Sequence, residues 1–173
     1  MEATRSLLVL ALCMTLGCTA VPHKYLRGSV PHLTFSTLAA NPQLYQDRLV
    51  ILGAVIVSEE RRDGDLWLHV KNRPLNKDYR PQLPSTPHDP DAGWYWILVE
   101  TPQTVPDSYR RWADITVVGR VIGLGPGDEP LLKMVYVRGW GLTSAHDGVW
   151  EHVKDMNYIP SMPVAIRGEL GQQ

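Results

Sequence analysis

The chain has almost no net charge and only one phenylalanine, and each shortage limits the functions and folds that fit the sequence. A formal net charge of −1 argues against a phosphate-binding surface over the whole molecule, because affinity for nucleic acid comes largely from clustered Lys and Arg. The single Phe accompanies six Trp and seven Tyr, which suit ligand clefts and interfaces but also the core of a small barrel. With 44% hydrophobic and 20% charged residues, neither disorder nor an ordinary multi-span membrane protein fits.

The sequence also lacks the short motifs of common catalytic and metal sites: it has no Walker A loop, HExxH, GxGxxG or GxSxG. The run His88-Asp89-Pro90-Asp91 offers metal-ligand types, but the prolines around it favour an extended loop. His146 and His152 are six residues apart, which matches no common zinc pattern. The glycine-rich 123–127 segment contains a proline and is followed by two acidic residues, which would repel phosphate, so it indicates a turn rather than a phosphate-binding loop. We therefore expect no cofactor, no metal site and no enzymatic activity.

Cysteine is scarce, and both cysteines, Cys13 and Cys18, lie near the N-terminus. Residues 1–17, MEATRSLLVLALCMTLG, place Arg5 ahead of an uncharged apolar stretch that is shorter than the roughly 20 residues needed to span a bilayer. This pattern predicts a signal peptide over residues 1–17. The sequence Thr15-Leu16-Gly17-Cys18 that closes it resembles a bacterial lipobox, in which the cysteine is lipid-modified and becomes the mature N-terminus.

The two cysteines then have different fates. Cys13 leaves with the signal peptide, and Cys18, acylated by palmitate-type chains, anchors the protein to membrane lipid without any intramolecular disulfide. Thr19, rather than Asp, follows Cys18, which favours sorting to the outer membrane with the domain facing the periplasm. Two alternatives stay open: an N-terminal hydrophobic helix with two buried thiols, and a secreted protein cleaved without lipid.

The rest of the chain divides into three parts by composition. Residues 18–34 have no sustained periodicity and indicate a lipidated tether, residues 35–145 a β-barrel-like domain, and residues 146–173 a short helix, from about Val149 to Met156, and a tail. A short helix is also predicted after Phe35, with Ser36 or Thr37 as its N-cap and with Leu38 and Leu44 packed inward. A further helical turn is predicted at 106–112.

Five segments have strand character, and Asp63-Gly64 between the first two is a strong hairpin signal. They are 48–58, 65–72, 94–100, 114–125 and 131–142. The first and fourth segments carry a central glycine, Gly53 and Gly119, at which we expect a bend. The predicted fold is mainly β: a small five-stranded OB-like curled sheet or barrel with short peripheral helices.

Alternation assigns side chains of two strands to faces. In the second strand Leu66, Leu68 and Val70 share one face, and Trp67, His69 and Lys71 share the other. In the third strand one face carries Trp94, Trp96 and Leu98, and the other carries Tyr95, Ile97 and Val99. Because both faces of the third strand are apolar, we expect both to be covered.

The best binding candidate joins the proline-rich loop 73–93 to the third strand. The loop carries Arg73 and Arg80, with Lys77 and Tyr79 between them, and the strand carries Trp94 and Trp96. Basic and aromatic residues interleaved in this way can hold a sugar, a peptide or an anionic lipid head group. A solvated loop over a Trp-filled core explains the same residues.

Taken together, the lipobox, the linker and the segments NPQLYQDRLVILGAVIV, RRWADITVVGRVIGLGPG and MVYVRGWGL are similar to the Slp family of starvation-inducible outer-membrane lipoproteins. The resemblance runs from about Asn41 to Leu142. It implies an outer-membrane lipoprotein linked to starvation or envelope stress, in a family with no settled biochemical activity. Because the sequence carries no catalytic motif, we expect a non-enzymatic structural or interaction role, with an envelope protein as partner. The alternative is a periplasm-facing module that binds an oligosaccharide, a lipid or an oligonucleotide on the aromatic and basic face of the barrel.

Overall fold

The computed structural model describes residues 21–84, 86, 89–100, 114–140 and 150–153. Within these residues two short α-helices precede the strands, and 3-10 turns lie at Pro42–Tyr45 and Pro126–Asp128. In chain order the helices and strands are α1 (His23–Gly28), α2 (Phe35–Ala40), β1 (Leu49–Arg62), β2 (Asp65–Arg73), β3 (Trp94–Val99), β4 (Asp114–Leu124), β5 (Pro130–Trp140) and β6 (Trp150–Val153). The five predicted strands are all present.

Five of the strands close into a ring. The sheet order is β3-β2-β1-β4-β5-β6, and β3 also pairs with β5. The β3–β5 pairing is parallel and joins Trp96, Ile97 and Leu98 to Leu131, Leu132 and Lys133, whereas the other pairings are antiparallel. The turn of the first hairpin is Asp63-Gly64, both with positive φ, as two-residue hairpins require. The prediction of a mainly β fold built on a five-stranded curled sheet is confirmed.

The core fills the inside of this ring, and α2 covers part of it. Leu66, Leu68 and Val70 of β2 point inward, as alternation predicts, and so do Tyr95, Ile97 and Val99 of β3. The Tyr95 hydroxyl donates to the Gly53 carbonyl over 3.2 Å, and burial raises the pKa of this phenol well above its usual value.

Helix α2 begins two or three residues earlier than expected. Thr34 is its N-cap, and the Thr34 side chain accepts from the Thr37 amide. Phe35 and Leu38 are buried in the core. The expected packing of Leu44 is wrong: Pro42 starts a 3-10 turn that rotates this side chain outward, and Leu44 is 75% exposed.

Part of the segment predicted as a tether is packed against the sheet. Within 18–34, residues 23–28 form α1, whose Tyr25 lies against Tyr136 of β5 with ring centroids 5.4 Å apart. Val21 is fully buried in the same outer cluster. The two apolar side chains were too few to show a helical period, but they cover the outer surface of the ring.

The C-terminal helix predicted over 149–156 is also corrected. Trp150–Val153 is a strand that pairs antiparallel with β5 over residues 136–139. This part of the β5 edge lies beyond its pairing with β3, so its backbone groups are open to a further strand. Ladder hydrogen bonds outweigh the helical spacing of Trp150 and Val153. The helical turn predicted at 106–112 lies outside the described residues.

A bend is predicted at Gly53, and the structure shows that a side chain has no room at this position. A Cβ there would overlap the carbonyl oxygen of Arg73, its β2 partner, and would lie 2.7 Å from Leu75 Cδ2. The bulge in β1 is at Ile56–Ser58 and not at Gly53, whereas the β4 irregularity does fall at Val118–Gly119.

Gly53→Ala is therefore expected to lower the free energy of unfolding by about 1–3 kcal/mol, since the backbone of Arg73 has to move. Gly28→Ala is the matched control: its Cβ would meet only Leu49 Cδ2 at 3.6 Å, an ordinary contact, and we expect a change within about 0.5 kcal/mol. Denaturant unfolding of both variants measures the difference. Equal midpoints would show that the Gly53–Arg73 approach is not required.

Candidate functional site

The outer surfaces of β2 and β3 carry one aromatic cluster. It consists of Trp67, His69, Trp94 and Trp96, which we call the aromatic face. Alternation places these residues outward because their neighbours in sequence fill the core. The predicted side-chain faces of both strands are thus confirmed, and β2–β3 register sets His69 directly opposite Trp96.

His69 is the centre of this cluster. Its ring stacks on Trp96, with centroids 4.3 Å apart and planes at 14°, and on Trp94, with centroids 4.9 Å apart and planes at 30°. Trp67 meets Trp96 edge-on at 6.2 Å. The aromatic rings therefore hold one another in fixed orientations.

Charged side chains surround the aromatic face. His69 Nε2 lies 2.8 Å from Glu129 Oε2, and Glu129 follows the turn between β4 and β5. Arg62, at the end of β1, lies over Trp67 and Trp96 at 5.2 and 5.3 Å and pairs with Glu60. Lys71 lies 5.8 Å from the Trp94 ring centroid. Two hairpins, β1–β2 and β4–β5, thus supply charge around this face.

Trp96 and Trp94 have different exposures, although alternation along the strand places both on the same face of β3. Trp96 is 5% exposed: its indole N–H donates to the Pro126 carbonyl over 3.1 Å, and Gly125 packs directly on its ring. Trp94 is 38% exposed. Trp96 thus fixes the β4–β5 hairpin, and Trp94 is presented to solvent.

The two predicted arginines lie apart from these tryptophans. Arg80 stacks on Trp140 at 4.5 Å, and Arg73 Nε is 3.9 Å from Asp114 Oδ1. Burial raises the pKa of Asp114, and the positive charge of Arg73 opposes that rise. Within the described residues, neither arginine makes a ring contact, hydrogen bond or ion pair with the aromatic face.

Thr116 determines where Arg80 lies. Its hydroxyl donates to the Tyr79 carbonyl over 2.6 Å and accepts from the Trp140 indole N–H at 3.0 Å. This bridge attaches the 75–81 loop to β4 and β5. Thr116, Trp140 and Glu129 are site residues that the sequence patterns did not indicate. Trp140 alternates with Tyr136 and Arg138 in β5, which was an available signal, whereas Glu129 had none.

Other candidates lie partly outside the described residues. Cys18, His88 and His146 are among them, and only backbone structure is described for His152. In the described part of the chain, no group of three or more His, Cys, Asp or Glu side chains is arranged to hold a metal ion. The helices described there are all too short or too polar to cross a membrane.

Trp96→Ala is expected to cost about 3–5 kcal/mol of unfolding free energy, because it empties a packed site and removes the hydrogen bond to Pro126. Trp94→Ala, on the same face, is expected to cost less than about 1 kcal/mol. Denaturant unfolding compares the two directly. If Trp94→Ala were as costly as Trp96→Ala, the distinction between a supporting and a presented tryptophan would be wrong.

Comparison with known proteins gives one result. A family model described as the outer membrane lipoprotein Slp family matches residues 16–159. No curated protein matches, and no solved structure matches. The matched segment includes Cys18 and every described strand. The chain therefore belongs to the Slp family of outer membrane lipoproteins.

Proposed function

We propose that this protein is a non-enzymatic structural or interaction module of the cell envelope, anchored through acylated Cys18 and facing the periplasm. The observation that carries the proposal is the family match, which begins at Leu16 and so includes the Gly17-Cys18 pair that ends the predicted signal peptide. The resemblance of the chain to starvation-inducible lipoproteins supports a link to starvation or envelope stress.

The aromatic face supports the non-enzymatic part of the proposal. His69 is the described histidine most engaged with other side chains: Glu129 holds its Nε2 atom, and two indole rings stack on its imidazole. Such an arrangement suits a side chain that holds two strands and a hairpin together.

A partner protein would contact Trp94 first. Trp94 is exposed, it lies on a rigid aromatic support, and Lys71 lies close to its ring. Exposed tryptophan on a preformed surface is a common anchor of protein interfaces. We therefore propose that an envelope protein binds at this end of the aromatic face.

Ligand binding on the same face is the second candidate function. It is favoured by the position of Trp94 and Lys71 on β2 and β3 between two hairpins, because this is the surface that five-stranded OB-type barrels use for oligosaccharides and oligonucleotides. The stack of Trp94 on His69 leaves the remaining indole surface for a sugar ring or a base.

The anchor is tested by Cys18→Ala. We expect mass spectrometry of the purified wild-type protein to find an acylated Cys18 as the first residue. We expect membrane fractionation to recover the protein with the outer membrane. The recovered amount should be larger after carbon starvation than in exponential growth. Cys18→Ala is expected to lose both the acylation and this fractionation. Cys13→Ala is the matched control and should retain them. An unmodified Cys18 in the wild type would refute the anchor, and equal amounts in the two growth phases would refute the stress link.

Binding at Trp94 is tested with three probes: a hexamer of N-acetylglucosamine, a twelve-residue oligo-dT, and an envelope extract cross-linked to the protein. We expect Trp94→Ala to abolish one cross-linked protein band while the sugar and the oligo-dT cause no change in tryptophan fluorescence. Leu124→Ala, at an exposed position of similar character, is the control. Saturable quenching by either small probe that disappears in Trp94→Ala would establish the second function instead. Absence of both effects would refute a binding role for Trp94.

A further inference from the structure

A groove of about 420 Å³ lies on the other side of the ring, between α1 with the turn after it and the 75–79 loop. Its size falls within the range of small-molecule sites. The groove is lined by apolar side chains, among them Leu26, Leu33, Ile51 and Leu75, and by the charged side chain of Lys77. A lining of this mixed kind fits an amphiphile.

The loop wall of the groove is fixed by hydrogen bonds. The Asn76 side-chain carbonyl accepts from the backbone amides of Asp78 and Arg80, each at 2.9 Å. The Tyr79 carbonyl accepts from Thr116. This wall therefore does not have to be ordered by a ligand, which lowers the cost of binding.

The opposite wall is fixed by the sheet. The Val30 amide donates to the Leu49 carbonyl over 2.9 Å, and Ser29 forms a bridge with Leu49. Tyr25 attaches α1 to β5 through Tyr136. The groove is thus bounded on both sides by segments that are joined to β1, β4 and β5.

The short segment between the proposed anchor and the folded domain limits how far the groove can lie from the membrane. Only Thr19 and Ala20 lie between Cys18 and buried Val21, and the three Cα–Cα steps from Cys18 to Val21 span at most about 11 Å. Val21 belongs to the same apolar cluster as Ile51, and Leu26 and Leu75 pack against that cluster. An acylated Cys18 therefore holds the groove close to the lipid surface.

Charge around the groove is positive on balance, because Lys24, Arg27, Lys77 and Arg80 of α1 and the loop outnumber the one acidic residue there, Asp78. Between Glu2 and Asp47 the chain has no Asp or Glu, whereas α1 contributes Lys24 and Arg27. Lys77 has no ion pair with any described carboxylate, and its side chain is exposed. Basic residues near a membrane surface attract anionic lipid head groups.

We propose that the groove binds an anionic phospholipid of the membrane to which Cys18 attaches the protein. Lys77 pairs with the lipid phosphate, and Leu26, Leu33 and Leu75 contact the upper part of an acyl chain. The inference rests on the proposed Cys18 anchor, because the anchor brings the groove to the lipid. It adds a second, non-covalent lipid contact that fixes how the domain lies on the membrane.

The test uses the protein as purified from membranes, reconstituted in vesicles of phosphatidylethanolamine and phosphatidylglycerol. A trace of phosphatidylglycerol or of phosphatidylcholine carries a photoreactive diazirine in its acyl chain. After irradiation, mass spectrometry locates the lipid adducts. We expect adducts on peptides containing residues 26–33 and 75–79, with phosphatidylglycerol exceeding phosphatidylcholine, and none on the peptide containing Trp94.

Charge reversal tests the role of Lys77. Lys77→Glu is expected to lower the phosphatidylglycerol adduct about fivefold, the upper range for one exposed ion pair. Arg61→Glu is the control: Arg61 is exposed and lies ten residues along β1 from Ile51. Equal labelling of Lys77→Glu and wild type, labelling without preference for phosphatidylglycerol, or no adduct in the groove would each overturn the proposal.

The same digest separates this proposal from the anchor. The N-terminal peptide reports whether Cys18 is acylated, so an unacylated Cys18 would overturn the proposed anchor whatever the groove reports. An acylated Cys18 without groove adducts would overturn only the phospholipid site. That result includes the case in which the protein's own acyl chain fills the groove.

Discussion

The parallel pairing of β3 with β5 is the constraint on which the rest of the structure depends. It is only three residues long, Trp96–Leu98 against Leu131–Lys133, yet it converts a twisted sheet into a ring. With the ring closed, the inward side chains of β2 and β3 meet those of β4 and β5 and form one core. The same pairing brings Trp96 beside the β4–β5 hairpin, whose Gly125 and Pro126 cover it. The β3–β5 pairing therefore positions both the core inside the ring and the aromatic face outside it.

The shortness of that pairing also explains β6. Residues 131–133 of β5 are used by β3, and residues 136–139 of the same strand remain for Trp150–Val153. An edge strand is thereby covered rather than left open to other chains. No local feature of Trp150–Val153 specifies a strand, because the hydrogen-bond donors and acceptors that select a strand there belong to β5. The helical prediction for this segment was wrong for that reason.

The parts of the fold that could be predicted are those whose signal is local. Alternation with a period of two assigned each side chain of β2 and β3 to the correct face, and Asp63-Gly64 located the first hairpin. Helix α1 was missed because a six-residue helix with one buried side chain, Tyr25, has no period to detect. Leu44 was misplaced because one proline changed the turn type.

In the candidate site, as in the fold, only the features set by local sequence were predictable. Trp94 and Trp96 fall on one face by alternation alone, but their exposures differ because a hairpin some thirty residues later covers only one of them. His69 and Glu129 are sixty positions apart, so nothing in either segment indicates their contact. The separation of Arg80 from Trp94 depends on Thr116, which attaches the proline-rich loop to β4.

The two surfaces of the ring can act at the same time because different strands carry them. The groove and α1 lie on the outer side of β1, β4 and β5, and the aromatic face lies on the outer side of β2 and β3. In a closed ring, outer surfaces on different strands point in different directions. A membrane contact through α1 would therefore leave Trp94 free to meet a partner, and the short reach of residues 18–21 would keep that orientation constant. Because α1 is packed against the sheet, the proposed anchor at Cys18 would fix the orientation of the domain as well as its location.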